Sequence, residues 1–387
     1  MSELMMSSRL YPASFRSPLV TPSRGGPLPP LPSSLELKVK CQCGDVDFQV
    51  PLDASPPPAI LRCHCRGCRR FHASSFAALL PLNHVPEMLV SERTTRSFES
   101  PCDGLSCKAM SRLFCQRCKS VLGAIPSAGA SGDATLAAAY LAMGCVSDEF
   151  IPPSLALAWQ QAGATGYRQL STPEGDGPMH GPHWWTARPS GRPPTAPPRT
   201  LRGRCACGAC VFAAQSGSEF QTQHCYCNLC RRMSGSVAQT WVPCRPNGFV
   251  WEAGENSASS DVGSSALELV RTTAHGQRHM CRRCGTTLTI VYDSQPDCIW
   301  PVAGVLDDDS LPQDLEKALC RSIHICCSMM QPWCVPWLNT FCFLRLTLGS
   351  HPVAPHETTL LRVHRAFFIS LRYELPDDGL PRLKFAG

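Results

Sequence analysis

The segment Cys225-Tyr226-Cys227-Asn228-Leu229-Cys230 places three cysteines within six residues. Cys205-Ala206-Cys207 precedes it, and Cys281-Arg282-Arg283-Cys284 follows it. The same three motifs occur earlier in the same order, and matching cysteines lie 162 to 166 residues apart. The earlier cysteines are Cys41, Cys43, Cys63, Cys65, Cys68, Cys115 and Cys118. The chain therefore contains two copies of one cysteine-bearing unit, a first copy and a second copy.

The cysteine content favours metal binding over disulfides. The chain has 25 cysteines in 387 residues, and its first ten residues, MSELMMSSRL, lack the apolar region of a secretory signal. Thiols that stay reduced are available as zinc ligands. A hydrophobic content of 43% is enough for two packed cores.

The spacing of the cysteines divides each copy into four ligands and three. Two thiolates in a Cys-x-Cys or Cys-x-x-Cys motif can occupy two corners of a zinc tetrahedron. The first and last pairs of a copy would together close one structural zinc site. The middle three cysteines would leave one position open, as in a reactive zinc site. In the alternative, all seven cysteines serve structural zincs, with His64 or His224 as a further ligand. We expect two zinc ions per domain.

Composition predicts the domain boundaries. Residues 1–37 are rich in Pro and Ser and are expected to be a disordered leader. The first zinc domain is predicted over 38–162, and the second over 201–335. A Pro/Gly-rich linker at 163–200 would join them. Residues 336–387 form an atypical tail, for which an insertion and a gene-model artefact are the two alternatives.

Short alternating segments between the cysteines predict strands. They include DVDFQV (45–50), FAALLPL (76–82), VAQTWV (237–242) and TTLTIVY (286–292). The alanine-rich segment 134–143 has helix propensity, but it occupies the place of 295–302 in the second copy, so we predict a strand there too. The predicted fold class is mainly β.

The motifs resemble those of the glutathione-dependent formaldehyde-activating enzyme family, which shares its domain with centromere protein V. The resemblance rests on Cys205-Ala-Cys207-Gly208, on Cys225 to Ser236 and on Cys281-Arg-Arg-Cys284-Gly285-Thr286. It extends to Ala303-Gly-Val-Leu-Asp-Asp308, which resembles the closing strands of the family, and to His324-Ile325. It implies two tandem β-tent domains, each with one structural zinc and one three-cysteine zinc.

The resemblance also implies carbon-sulfur lyase chemistry on glutathione adducts of formaldehyde or another small electrophile, so glutathione or an adduct is the expected partner. Arg231 and Arg232 could bind a glutathione carboxylate or form a solvated face. His324 could assist the zinc or lie in the core. The alternative function is a non-catalytic zinc module that binds protein or nucleic acid.

The two copies differ around their shared cysteines. Lys119 in the first copy replaces Gly285 of the second, at a position where Gly can relieve a positive φ. Phe71-His-Ala-Ser74 likewise stands where the second copy has Met233-Ser-Gly-Ser236. We expect the second copy to carry the reactive zinc, held by Cys225, Cys227 and Cys230. Catalytic residues beyond these three cannot be assigned from the sequence.

Charge and hydropathy limit the other partners. The formal net charge is +6, without the dense basic stripe of a nucleic-acid-binding surface. No apolar run is long enough for a membrane span. We expect no nucleic-acid or membrane partner and a cytoplasmic location, with a nuclear or mitochondrial one as alternatives.

Overall fold

A computed structural model of the chain describes residues 31, 34–53, 58–63, 65–102, 107–127, 137–156, 158–159, 199–216, 223–242, 244–252, 266–311, 323–325 and 331. The predicted tail (336–387), nearly all of the predicted linker and His64 lie outside these residues. So does most of the predicted leader, but its last residues, from Ser34, belong to the first strand. The first domain therefore begins a few residues earlier than predicted. Leu37 shows why, because it pairs with Val50 of the next strand and its side chain is fully buried.

The first copy consists of a hairpin and a six-stranded sheet. Strands β1 and β2 pair with each other, and the sheet has the order β3-β4-β8-β7-β6-β5. All pairings are antiparallel. The strands are β1 Ser34–Lys40, β2 Asp47–Asp53, β3 Leu61–Cys63, β4 Ala77–Leu82, β5 Thr95–Cys102, β6 Cys107–Cys115, β7 Val121–Pro126 and β8 Ala139–Ala142.

The second copy distributes its strands over three sheets, with the orders β13-β10-β9, β12-β11-β18 and β14-β15-β16-β17. Strand β18 lies parallel to β11, in contrast to the antiparallel pairing of β11 with β12. The strands are β9 Thr200–Arg204, β10 Val211–Ser216, β11 Gln223–Cys225, β12 Gln239–Trp241, β13 Cys244–Glu252, β14 Leu267–Thr273, β15 Gly276–Cys281, β16 Thr287–Tyr292, β17 Gln295–Pro301 and β18 Ile323–Ile325.

The prediction of a mainly β fold is confirmed, and the alanine-rich segment shows why position outweighed propensity. Its described part, Ala139–Ala142, is strand β8 between β4 and β7 of the six-stranded sheet. All four of its residues are buried. At this central position, burial on both faces and pairing on both edges decide the conformation.

One part of the closing segment differs from the expectation. Ala303–Val305 and Asp308–Ser310 form short 3-10 turns rather than strands. Their first-copy counterparts, Met143–Cys145 and Asp148–Phe150, do the same. Ala303–Val305 and Met143–Cys145 each pack against a helix of the other copy, whereas Asp308–Ser310 and Asp148–Phe150 contact β9 and β1 of their own copy.

A short helix follows the middle cysteine motif in each copy: α1 is Arg66–His72 and α2 is Asn228–Ser234. The cap at each start is a cysteine whose sulfur accepts a hydrogen bond from the backbone N–H three residues later. At their ends, Ala73 has φ 48° and Gly235 has φ 65°, both left-handed. The sulfurs that define the site therefore also start the helices.

The copies share one hydrophobic core. A single cluster of buried side chains includes Leu37 and Leu122 of the first copy and Phe212 and Leu288 of the second. Helix α1 packs against the Ala303–Val305 turn, and α2 packs reciprocally against Met143–Cys145. The two copies are thus related by an approximate two-fold exchange of helix and turn, which their sequence separation did not indicate.

Candidate metal centres and the groups around them

Two sets of four cysteine sulfurs lie where the spacing predicted them. Within each set, all sulfurs are within 4.8 Å of one another. The first four-cysteine set joins β6 and the turn after it to the end of β1, and the second joins β15 to the end of β9 in the same way. The sets are Cys41, Cys43, Cys115 and Cys118, and Cys205, Cys207, Cys281 and Cys284.

The sulfur separations fit a tetrahedral metal ion. A zinc ion with four sulfurs at about 2.3 Å has tetrahedron edges of about 3.8 Å. Cys41 and Cys43 have their Sγ atoms 3.5 Å apart, and Cys205 and Cys207 match that distance. All of these cysteines are free, and the separations are well beyond a disulfide bond of about 2.05 Å. Both four-cysteine sets can therefore hold a metal ion.

The thiols of these sets affect one another's ionisation. Hydrogen bonds from neighbouring cysteines lower the pKa of Cys118 in the first set and of Cys207 in the second. The same contacts raise the pKa of Cys115 and of Cys205. The thiols of each set therefore compete for protons, and a bound cation would favour ionisation of all four.

The turns behind the last cysteine pair carry the predicted backbone strain. Gly285 has φ 72°, and Lys119, its first-copy counterpart, has φ 62°. The expectation of a positive φ at Lys119 is confirmed. The Lys119 amine donates to the Gln116 carbonyl oxygen at 2.6 Å, which offsets part of the cost of roughly 1 kcal/mol.

Two sets of three cysteines lie at the starts of α1 and α2. The first three-cysteine set is Cys63, Cys65 and Cys68, and the second is Cys225, Cys227 and Cys230. Each begins on a short strand and continues into the first turn of the helix. Within the described residues, no fourth His, Cys, Asp or Glu joins either set.

The two three-cysteine sets differ in access. All three cysteines of the first set are 0% exposed, and they lie in a mostly apolar cluster with Leu61, Ala77, Leu79, Met110 and Tyr140. In the second set Cys227 is partly exposed, and Cys225 and Cys230 keep 5% and 4% of their surface. A small molecule can approach the second set more easily than the first.

His224 does not act as a fourth ligand of the second set. Its ring Nδ1 lies 3.0 Å from the Thr240 hydroxyl oxygen, with which it pairs across β11 and β12. Adjacent strand residues point to opposite faces, so His224 and Cys225 diverge. His64, the other candidate, lies outside the described residues, as does the side chain of His324.

A buried arginine contacts the last sulfur of each three-cysteine set. Arg112 donates to Cys68 Sγ at 3.1 Å, and Arg278 donates to Cys230 Sγ at 3.3 Å. Both arginines are 0% exposed. A guanidinium at this distance stabilises a thiolate. Sequence reasoning missed this pair, although the two arginines are separated by the same 166 residues as Cys115 and Cys281.

Polar groups that the first copy lacks surround the second three-cysteine set. Gln239 pairs with Cys225 across the strands, where the first copy has Ala77 opposite Cys63. Tyr292 occupies the place of Pro126. Burial raises the pKa of the Tyr292 phenol, and the nearby cysteine charges raise it further, so its hydroxyl stays protonated as a donor. The second site is the more polar of the two.

The Arg231 side chain is buried in the contact between the two copies. It is 3% exposed and donates two hydrogen bonds to Asp148 of the first copy, at 3.0 and 2.6 Å. Arg69, its first-copy counterpart, reciprocally binds Asp308 at 2.8 Å. The hypotheses that Arg231 binds a glutathione carboxylate or is solvated are therefore wrong, because its guanidinium already binds the Asp148 carboxylate of the first copy.

Hydrogen bonds from the ends of the two helices cross between the copies. Ser74 Oγ donates to the Ala238 carbonyl oxygen, and Ser236 Oγ donates to the Phe76 carbonyl oxygen, each at 2.7 Å. His72 is fully buried and binds the Ser234 carbonyl oxygen at 2.9 Å. The segment Ser234–Ser236 at the end of α2 thus forms part of the contact between copies.

Cys244 and Cys298 lie outside the four cysteine sets. Burial raises the pKa of Cys244 to about 12, and this thiol donates to the Ile299 carbonyl oxygen at 2.8 Å. Cys298 is partly exposed, and burial raises its pKa. Cys326 and Cys327 lie outside the described residues.

No helix among the described residues has the length and apolar character that a membrane crossing requires.

A protein of Halomonas elongata, provisionally named a glutathione-dependent formaldehyde-activating enzyme, is 28% identical over 118 residues, which are 30% of this chain and 71% of that protein. A Rhodobacter sphaeroides protein of known crystal structure shares 20% identity, covering 30% of this chain and 94% of its own. Its TM-score of 0.22 is too low to bear on the fold.

The family model of the glutathione-dependent formaldehyde-activating enzymes matches residues 36–159 and 200–328. Each matched region contains one four-cysteine set and one three-cysteine set. The two matches together cover more than half of the chain, so the chain belongs to the glutathione-dependent formaldehyde-activating enzyme family and carries its domain twice.

Proposed function

We propose that the chain is a zinc-dependent carbon-sulfur lyase-type enzyme, which forms and cleaves glutathione adducts of formaldehyde or a related small electrophile. We assign the reaction to the second three-cysteine set. The observation that carries this assignment is the contrast between the sets: the second is partly exposed and flanked by polar groups, whereas the first is buried in an apolar cluster.

We propose zinc at all four cysteine sets, hence four ions per chain. Four thiolates complete a zinc tetrahedron, so the two four-cysteine sets would serve the fold alone. Three thiolates leave one position, and a zinc ion bound there would lower the pKa of a substrate thiol. Soft thiolate ligands favour zinc over magnesium or calcium.

The reaction itself requires few protein groups. The glutathione thiol gives up its proton, its sulfur supplies the electron pair of the new carbon-sulfur bond, the carbonyl π pair moves to oxygen, and that oxygen takes up a proton. Cleavage reverses each step. Arg278 offsets the negative charge of the second three-cysteine set through its contact with Cys230. The Tyr292 hydroxyl, whose pKa is raised by burial and by the charges of the same cysteines, stays protonated and can donate a hydrogen bond.

Paired substitutions test the assignment. Cys227→Ser removes a partly exposed sulfur of the second set, and Cys65→Ser removes its buried counterpart in the first. Turnover is measured as the rate at which glutathione and formaldehyde exchange with their adduct, by NMR exchange spectroscopy. Zinc content is measured in parallel by mass spectrometry.

We expect each variant to lose one zinc and only Cys227→Ser to lose turnover. A greater loss from Cys65→Ser would contradict the assignment to the second set. Four zincs together with no response to glutathione or its adducts would instead support the non-catalytic zinc module.

A further inference from the structure

Gln239 is buried beside the second three-cysteine set. We propose that its side-chain amide binds the oxygen atom of the small electrophile, as carbonyl in one direction and as hydroxyl of the adduct in the other. This inference rests on the proposed function of that set.

Strand register places the amide next to the sulfurs. Gln239 on β12 lies directly opposite Cys225 on β11. Directly opposed residues share a face of the sheet, with Cβ atoms about 4.5–5.5 Å apart. The neighbouring pair, His224 and Thr240, meets through its side chains at 3.0 Å, which fixes that pair on the other face. Gln239 and Cys225 therefore point the same way.

The amide of Gln239 has capacity for a ligand. The residue is 0% exposed, and both its Nε2 and its Oε1 are without a hydrogen-bond partner among the described residues. Native structures rarely leave a buried amide unsatisfied at both ends. Gln223, next on the same face, also has a buried Oε1 without a partner within the described part of the chain. A hydroxyl group, which both donates and accepts, matches such an amide.

The first copy shows what this face looks like without the polar groups. Ala77 occupies the place of Gln239, opposite Cys63, and Leu61 occupies the place of Gln223. Both belong to the apolar cluster around the first three-cysteine set. Both copies thus have the three cysteines, whereas only the second has two glutamines beside them that can form hydrogen bonds with a ligand.

The chemistry gives the amide a defined task. As the carbon-sulfur bond forms, negative charge develops on the former carbonyl oxygen. An N–H aimed at that atom stabilises the charge more than it stabilises the neutral carbonyl, and one such donor contributes about 10²- to 10³-fold in rate. Gln239 Nε2 would be this donor, and Oε1 would accept from the hydroxyl of the adduct.

Gln239→Met tests the proposal in the full zinc-loaded chain, because Met keeps the volume and removes both polar atoms. We expect the zinc content to be unchanged and the exchange rate of glutathione and formaldehyde to fall about 10²- to 10³-fold. Binding of S-methylglutathione, measured by calorimetry, should be unchanged, because this analogue lacks the hydroxyl oxygen of the formaldehyde adduct. Thr240→Val, on the opposite face of the same strand, controls for strand stability and is expected to keep the exchange rate within a few-fold.

Three outcomes would overturn the assignment of Gln239. They are an unchanged exchange rate in Gln239→Met, an equal loss in Thr240→Val, and a loss of zinc or of S-methylglutathione binding in Gln239→Met. If the unaltered chain neither accelerates the exchange nor binds S-methylglutathione, the proposed function itself fails. That result is distinguishable from a failure of Gln239 alone.

Discussion

The ion pair between Arg231 and Asp148 provides a sharp test of the contact between the copies. Arg231 belongs to α2, directly after the second three-cysteine set, and Asp148 lies in a 3-10 turn of the first copy. The substitution Asp148→Asn keeps the size of the side chain and removes its charge. It leaves the cysteines and their immediate neighbours unaltered.

The expected magnitude follows from the burial of the arginine. Asp148 accepts hydrogen bonds at 2.6 and 3.0 Å from a guanidinium whose side chain is 3% exposed. Removing one partner of a buried ion pair costs about 3–5 kcal/mol. Because Asp148 keeps 23% exposure and Asn retains one acceptor, we expect a loss of about 2–3 kcal/mol in the free energy of unfolding.

The second copy provides a matched control. Arg271 and Asp293 form an equally two-pronged pair, at 2.8 and 3.1 Å, but their side chains are 51% and 44% exposed. Asp293→Asn should therefore change stability little. Urea unfolding of both variants, with zinc content checked in each, gives the comparison. If Asp148→Asn destabilises the chain no more than Asp293→Asn, the copies are not held together by this pair and the reasoning fails.

Three further predictions concern other parts of the molecule. Burial lowers the pKa of His72 from 6.5 to about 3, so the folded chain keeps it neutral while the unfolded chain binds a proton below pH 6.5. The stability that this difference supplies is present above pH 6.5 and is lost as the pH falls. Between pH 7 and pH 5 we expect the free energy of unfolding to fall by about 2 kcal/mol, measured by urea unfolding at both pH values. This loss should be absent in His72→Asn. In Gly144→Ala, the new Cβ would lie 2.2 Å from a backbone oxygen of α2, so we expect at least about 2–3 kcal/mol of destabilisation by thermal unfolding. Gly208→Ala, where no atom lies within 4 Å but φ is +75°, should cost about 1 kcal/mol, and an equal cost at both glycines would contradict the close approach. Finally, Cys207→Ser should remove one metal ion per chain, measured by mass spectrometry, whereas Cys298→Ser should remove none; equal metal contents would count against the second four-cysteine set.

The sequence predicted the four cysteine sets because their ligands recur at fixed short spacings. Cys-x-Cys and Cys-x-x-Cys hold two sulfurs together through local geometry alone. The duplication then showed which pairs belong together, and it also identified β8 against its alanine content. These features depend on neighbours in sequence or on comparison of the copies.

Features that depend on distant parts of the chain were not predictable in this way. The pairing of Arg231 with Asp148 joins residues far apart in sequence, and paired arginines on a short helix are more often solvated. Gln239 gains its meaning only from its register opposite Cys225, which no periodicity specifies. Arg278 was hidden in a strand whose alternation gave no sign of a sulfur contact.

The reciprocal exchange of helix and turn has a consequence for how the chain is made. During synthesis the first copy is complete before α2 emerges. Asp148 and His72 of the first copy, which α2 contacts in the folded chain through Arg231 and Ser234, are then still uncovered. Until synthesis reaches the Ala303–Val305 turn, the nascent first half presents an uncovered apolar surface of the kind that chaperones bind.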